Sequence, residues 1–257
     1  MKNTPFIAVT SQPVPYYADT TAIFNTLCQQ NSNSLLLDSA EIGSKNSLQS
    51  LILINAAVKI TCLGNQVTFR ALNANGKQVL NEIHPVLSQL GTVSAVNFDN
   101  EFSVQFAPLD NQLDEDSKLQ AATIFDGLRV ISSHYQHSST PVFLGGLFAY
   151  DLVANFIPMQ GVELKDDGIR CPDYSFYLAE NLITIDHQSQ QATLKSFCFS
   201  QEEQVEVAKT ALSIAQKLKN IDGVLSIKAA SDEVSTNFED PEFTGIVKAL
   251  KHHINIG

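Results

Sequence analysis

A chain of 257 residues with 44% apolar content can bury a sizeable core and sits near the length where one core gives way to two. Its 16 Lys and Arg against 27 Asp and Glu leave a formal charge of −11, which repels nucleic-acid phosphates and anionic membrane surfaces. The opening Met1-Lys2-Asn3-Thr4-Pro5 has one cation, Phe6-Ile7-Ala8-Val9 is too short for a signal-peptide core, and no run approaches the roughly 20 apolar residues of a membrane helix. Cys28, Cys62, Cys171 and Cys198 show no Cys-x-x-Cys pair and no zinc spacing, so reduced thiols in a soluble, cytoplasmic protein are expected.

The first predicted element runs from Asp19 to Gln29, with Asp19 or Thr20 as cap and Ile23, Phe24, Leu27 and Cys28 as a short apolar stripe. Leu35-Leu36-Leu37 is too short for a helix and is bounded by turn formers, which predicts a buried strand stopping at Asp38-Ser39. Val58, Ile60 and Cys62 alternate, Gly64-Asn65 is a two-residue turn, and Val67, Phe69 and Ala71 alternate back, predicting a β-hairpin. Leu80, Ile83, Leu87 and Leu90 have helical offsets in a segment that Pro85 should kink or shorten.

Phe102, Val104 and Phe106 alternate as a strand. After the acidic Asp114-Glu115-Asp116, which suits the positive end of a helix, Ile124, Leu128, Ile131 and Tyr135 predict an amphipathic helix. Val142 to Tyr150 reads as a buried strand in which Gly145-Gly146 admits a close backbone. Tyr174 to Leu194 reads as an antiparallel meander turning at Asp186 to Gln190. Val205, Ala208, Leu212 and Ala215 mark a helix to about Asn220, and a polar linker continues through Ser231-Asp232-Glu233. A last helix starts at Asp240 as cap with Pro241 in its first position, and carries Phe243, Ile246, Val247, Leu250 and Ile254 on one stripe.

No phosphate-binding glycine loop, Gly-x-Ser-x-Gly or His-Glu-x-x-His is present. His134 and His137 stand three apart on a predicted helix without a carboxylate or Cys at a matching offset, so they read as a solvated or capping pair, and His252-His253 as solvated surface. Asp114-Glu115-Asp116 reads as a helix start and Asp166-Asp167-Gly168 as a turn. Asp38-Ser39-Ala40 is richer, because a carboxylate, a hydroxyl and backbone amides at a strand end suit the ammonium and carboxylate of an amino acid. An Asx or Ser turn leading into the next element accounts for the same residues.

Leu35-Leu36-Leu37-Asp38-Ser39-Ala40-Glu41-Ile42-Gly43-Ser44-Lys45 resembles the Leu-Leu-Glu-Ser-Ala segment of the anthranilate synthase component I family, the large subunits among chorismate-utilising enzymes. Phe125-Asp126-Gly127-Leu128-Arg129, Phe143 to Val153, Cys171-Pro172-Asp173 and Phe176-Tyr177-Leu178-Ala179-Glu180 resemble the same family in the same order. The resemblance implies an α+β fold of mostly antiparallel β-sheets packed together with surrounding helices. It further implies an N-terminal, tryptophan-binding regulatory region over 1–230 and the truncated start of the chorismate-binding catalytic domain over 239–257. For the full-length subunit it implies conversion of chorismate to anthranilate and pyruvate, with Mg²⁺ as cofactor and a glutamine amidotransferase, component II, as partner. The family's chorismate and Mg²⁺ residues lie in its C-terminal half, so no catalytic residue and no metal ligand is carried over to this chain.

What the resemblance does carry over is a feedback site for L-tryptophan, with Ser39 as the contacting serine and Asp38 and Ala40 beside it. Two departures matter: the family Glu is Asp38 here, and a Lys of some relatives is Gln49. A chain without Trp fits an enzyme that must be translated when tryptophan is scarce. The large subunit of aminodeoxychorismate synthase and a non-catalytic amino-acid-binding module are the alternative readings.

Overall fold

In the computed structural model the described residues are 5–29, 31–38, 48–97, 100–108, 114–136, 140–157, 171–221, 237 and 239–256. They fall into two compact units, 1–223 and 224–257. The larger opens with strand β1 (Ala8–Val14) and helix α1 (Thr20–Cys28), whose first turn is closed by Ala22 N–H donating to Asp19 Oδ1 at 2.9 Å. Strand β2 (Leu35–Asp38) then pairs with the start of the long strand β3 (Gln49–Leu63), which turns at Gly64-Asn65 into β4 (Gln66–Ala71). Gly64 sits at φ +57°, the left-handed value that a tight two-residue turn needs at its first position and glycine supplies without strain.

Helix α2 (Ala74–Leu87) is capped by Asn73, whose side chain accepts from Gly76 N–H. Pro85 lies inside it, its missing N–H removes one bond from the last turn, and the helix ends two residues further on, at Leu87. Strands β5 (Thr92–Asn97) and β6 (Glu101–Gln105) and helices α3 (Glu115–Gln120) and α4 (Asp126–His134) follow. Strand β7 (Leu144–Phe148), a 3-10 turn at Tyr150–Asn155, strands β8 (Tyr174–Asp186) and β9 (Gln191–Cys198) and helix α5 (Gln204–Leu218) complete the unit.

The described strands form one antiparallel sheet in the order β1-β9-β8-β3-β4-β6-β5, with β2 added on β3 and β7 on β8. This is the α+β architecture of antiparallel sheet and surrounding helices that the family resemblance implies. The two central strands are not evenly paired. Leu53 faces Leu182, Asn55 faces Asn181, Ala56 faces Ala179 and Val58 faces Leu178, so Ile54, Ala57 and Glu180 are each left without a partner across the ladder. Each extra residue is a bulge, and bulges bend a strand and increase its twist. The bulged segment divides the sheet into two halves with separate cores. In one, Val67, Phe69, Phe102, Val104, Ile131, Tyr135 and Tyr174 pack under α2 and α4; in the other, Ile23, Ile52, Ile183, Ile185, Leu194, Ile214 and Leu218 pack under α1 and α5.

Several expectations are met and several are corrected. The hairpin, its turn and α1 with its Asp19 cap are where the sequence puts them, and so is the strand over Leu35–Asp38. That strand is not buried, however: Leu35 and Leu36 are half-buried and Leu37 and Asp38 are exposed, because among the described strands β2 pairs on one side only, with β3. The segment after Asp114 is two helices, because Asp114 caps α3, the chain leaves helical geometry at Ala121, and α4 starts again at Asp126. β7 is an edge strand whose far end is exposed rather than buried, although a Cβ on Gly146 would come within 2.2 Å of Ser175 O, as a close backbone requires.

Helix α5 is present but presents the opposite face: Val207, Ala211, Ile214 and Leu218 are buried, while Val205 and Leu212 are 66% and 58% exposed. Both rows satisfy helical spacing, and the branched bulk of Ile214 and Leu218 wins the core over the alanines of the other row. In the smaller unit α6 (Asp240–Ile256) opens one residue before the expected start, with Phe243 N–H donating to Glu239 O, and its described residues are all exposed. The linker at 231–233 and the turn at 166–168 lie outside the described residues.

Candidate functional site

The last residue of β2, Asp38, stands directly across from Ser50 on β3. Pairing at the very end of the ladder leaves the Asp38 side chain exposed while Ser50 is completely buried. The Ser50 hydroxyl donates to Asp38 Oδ1. Ser50 Oγ also lies 2.8 Å from His187 Nε2, and His187 Nδ1 lies 3.2 Å from Tyr16 Oη, with the Tyr16 and His187 rings edge to face at 5.9 Å. Since the single proton of Ser50 goes to Asp38, its oxygen accepts from His187 Nε2–H, and in the neutral imidazole Nδ1 then accepts from Tyr16. His187 is itself anchored by its backbone N–H, which donates to Leu48 O at 2.9 Å.

Strand alternation explains why these groups meet. Asp38 and Leu36 share one face of β2, Ser50 and Ile52 share one face of β3, and Leu36 and Ile52 belong to the aliphatic core under α1 and α5. The carboxylate therefore caps the end of that core, where an apolar ligand body would meet an acceptor for its ammonium. Of the sequence candidates, Asp38 is at this site, and Ser39 and Ala40 lie outside the described residues. Gln49 is exposed and, one residue from Ser50, falls on the opposite face, so the structure does not bring it to the Asp38 carboxylate.

Tyr16, Ser50 and His187 are absent from the sequence reading. Tyr16 and His187 are bonded across 171 positions, His187 and Ser50 across 137 and Ser50 and Asp38 across 12, and no local spacing marks them; His187 merely falls in the turn expected at Asp186 to Gln190.

A second buried polar group occupies the bulge. Glu180 accepts at Oε2 from Asn73 Nδ2 and Asn75 Nδ2, both at 2.8 Å, and Asn75 also donates to Phe197 O and accepts from Phe199 N–H at 2.6 Å. Burial pushes the Glu180 carboxyl above its usual range, the two amides pull it partly back, and Glu203 adds to the rise. The cluster ties the start of α2 to the end of β9 across the bent sheet. A charged residue inside the apolar run from Tyr177 to Ile185 is the sequence signal that could have found it.

The remaining candidates are structural. His134 is not a solvated residue: its Nε2 lies 2.9 Å from Glu82 Oε2, which also accepts from Tyr135 Oη at 2.9 Å, so α4 is fastened to α2. His137 lies outside the described residues, and His252 and His253 are exposed on α6. Asp114 is held below the ordinary carboxyl range by Ser117 N–H and then by the Ser117 hydroxyl, as a helix cap is. Cys28, Cys62 and Cys198 are buried free thiols and Cys171 an exposed one, with burial pushing Cys62 up to about 12.

Among the described residues no three His, Cys, Asp or Glu side chains converge on a metal-sized site, and none of those residues is assigned to Mg²⁺. No helix among them is long and apolar enough to cross a membrane. A cleft of about 370 Å³ between α1 and α5, lined by Leu27, Ile54, Lys209 and Lys217, does not include Asp38, Ser50 or His187.

Comparison with known proteins supplies the frame for this geometry. The chain is 86% identical over 252 residues to the Haemophilus influenzae protein named anthranilate synthase component 1, covering 98% of this chain and 49% of that one. It is 40% identical over 264 residues to the Vibrio cholerae protein of the same name, covering 99% and 49%, and 34% identical over 248 residues to the Escherichia coli one, covering 94% and 47%. The chain thus spans about half the length of the curated relatives it matches. Residues 81–257, well over half of it, match the family described as chorismate binding enzyme, and the chain belongs to that family.

Proposed function

We propose that this chain is the N-terminal portion of an anthranilate synthase component I, and that it supplies the feedback site for L-tryptophan, while the residues that process chorismate belong to the remaining length of the subunit. The observation that carries this reading is the near-complete alignment of the chain with relatives of that name. In the complete subunit, ammonia adds to chorismate, and water and pyruvate leave to give anthranilate. Mg²⁺ is the cofactor of that step, a glutamine amidotransferase, component II, supplies the ammonia, and the reaction runs in the cytoplasm. Region 1–230 is then the regulatory part and 239–257 the beginning of the catalytic domain.

At the inhibitor site Asp38 offers its carboxylate to the ammonium of tryptophan, Ser39 and Ala40 bind beside it, and the aliphatic core edge at Leu36 accepts apolar surface. A carboxylate has about four lone-pair positions, so the one taken by Ser50 leaves others for an ammonium. The test is to incubate the complete polypeptide with chorismate, Mg²⁺ and ammonia, and to follow anthranilate fluorescence with and without L-tryptophan. Anthranilate formation that tryptophan suppresses, and that Ser39→Phe makes insensitive, is the expected result. Accumulation of aminodeoxychorismate in place of anthranilate, or inhibition unchanged in Ser39→Phe, would overturn the reading.

A further inference from the structure

We propose that Tyr16, His187 and Ser50 form a positioning relay that sets the strength of the inhibitor site through Asp38 without touching the inhibitor; the inference rests on the reading of Asp38 as the ammonium acceptor. With His187 neutral and its proton on Nε2, every link in the chain donates in the same direction. Tyr16 Oη–H gives to His187 Nδ1 at 3.2 Å, His187 Nε2–H gives to Ser50 Oγ at 2.8 Å, and Ser50 Oγ–H gives to Asp38 Oδ1. Hydrogen bonds aligned in series polarise one another, so the bond that reaches the carboxylate is strengthened by the two behind it. Ser50 is fully buried and cannot exchange its donor for water, whereas Asp38 is exposed and without Ser50 would be free to rotate.

The relay has a geometric reason to exist. Asp is the shorter of the two carboxylate side chains, so the Asp38 carboxylate lies close to its own backbone and has few rotamers that reach a ligand. A fixed donor underneath selects one of them before the ligand arrives, and a site ordered in advance loses less freedom on binding. The components come from β1's exit, the start of β3 and the β8–β9 turn, three segments that converge because β2 and β8 both pair with the first residues of β3. His187 is the hinge of the arrangement, since it is the member with a partner on both ring nitrogens.

The experiment is a double-mutant cycle on the complete polypeptide, read by calorimetric titration with L-tryptophan and accompanied by thermal melts. Asp38→Asn alone should weaken binding at least tenfold, as expected for loss of a charge-assisted bond. His187→Phe and Ser50→Ala should each weaken it by about tenfold, and Tyr16→Phe by about threefold. His187→Gln, whose amide can still donate to Ser50, should recover most of the affinity that His187→Phe loses. In the Asp38→Asn background, His187→Phe should cost almost nothing further, because its effect passes through the carboxylate.

Unchanged binding in Asp38→Asn would remove the inhibitor-site reading itself. Weakened binding in Asp38→Asn with unchanged binding in His187→Phe would leave that reading standing and overturn the relay. Full additivity of the two substitutions, or a loss in His187→Gln equal to that in His187→Phe, would also overturn it. If His187→Phe lowers the melting temperature too far for titration, Tyr16→Phe decides the matter, since it removes one hydroxyl from a half-buried ring and keeps the ring's packing.

Discussion

The core under α2 and α4 carries packed aromatic rings, whereas the core under α1 and α5 is filled mainly with branched aliphatic side chains. In the first, Phe69 stacks on Phe102 at 5.1 Å and Tyr135 tilts against Phe199 at 5.0 Å, and the polar groups Glu82, His134 and Tyr135 are used up fastening α2 to α4. In the second, the isoleucines of β3 and β8 lead to a polar chain that surfaces at Asp38. The difference teaches that one sheet can divide its labour at a bend: large rigid rings hold the fold on one side, and a smoother aliphatic wall on the other ends in groups able to meet a ligand.

The largest expected effect breaks the aromatic half. Phe69→Ala, at a fully buried ring, should cost about 3–5 kcal/mol in chemical denaturation, while an exposed aromatic such as Tyr150→Ala should cost under about 0.5 kcal/mol. Next comes the bend, where a Cβ on Gly76 would stand 1.9 Å from Ala57 O in the β3 bulge. Gly76→Ala should therefore destabilise by about 1–3 kcal/mol or more despite the better helix propensity of alanine. In the aliphatic half Ile52→Val removes one buried methylene and should cost about 0.5–1.5 kcal/mol. Smallest is α5, where Val205→Ser should change stability by less than about 0.5 kcal/mol. The same substitution type on the other face, Ile214→Ser, should be severely destabilising, and equal costs would restore the face expected from the sequence.

The bend also titrates. Glu180 keeps its proton to higher pH in the folded chain than in the unfolded one. Its contribution to stability is complete below the ordinary Glu range near about 4.3 and is lost as pH rises through its folded value. Replacing it by Gln should flatten that part of the stability profile in denaturant midpoints measured across pH, and an unaltered profile would show that Glu180 is not the group responsible.

Much of the fold was legible because its signals are local. The hairpin needed Gly64 and two alternating runs, and α1 needed Asp19 and a stripe. The face of α5 was not legible, since Val205-Ala208-Leu212 and Val207-Ala211-Ile214 have the same period and packing alone chooses between them. β1 and β5 were missed because each is paired along a sheet edge and mixes polar with apolar residues. At the candidate site, the end of β2 at Asp38 could be read from the chain, but Ser50 and His187 reach it through strand pairing, which no short window of sequence records.

Hydrogen exchange of the complete polypeptide with and without L-tryptophan tests the division of labour most directly. The account predicts added protection in 35–38, 48–53 and 186–188, with β4, β6 and α2 unchanged. Protection confined to the aromatic half, or none at saturating tryptophan, would contradict it.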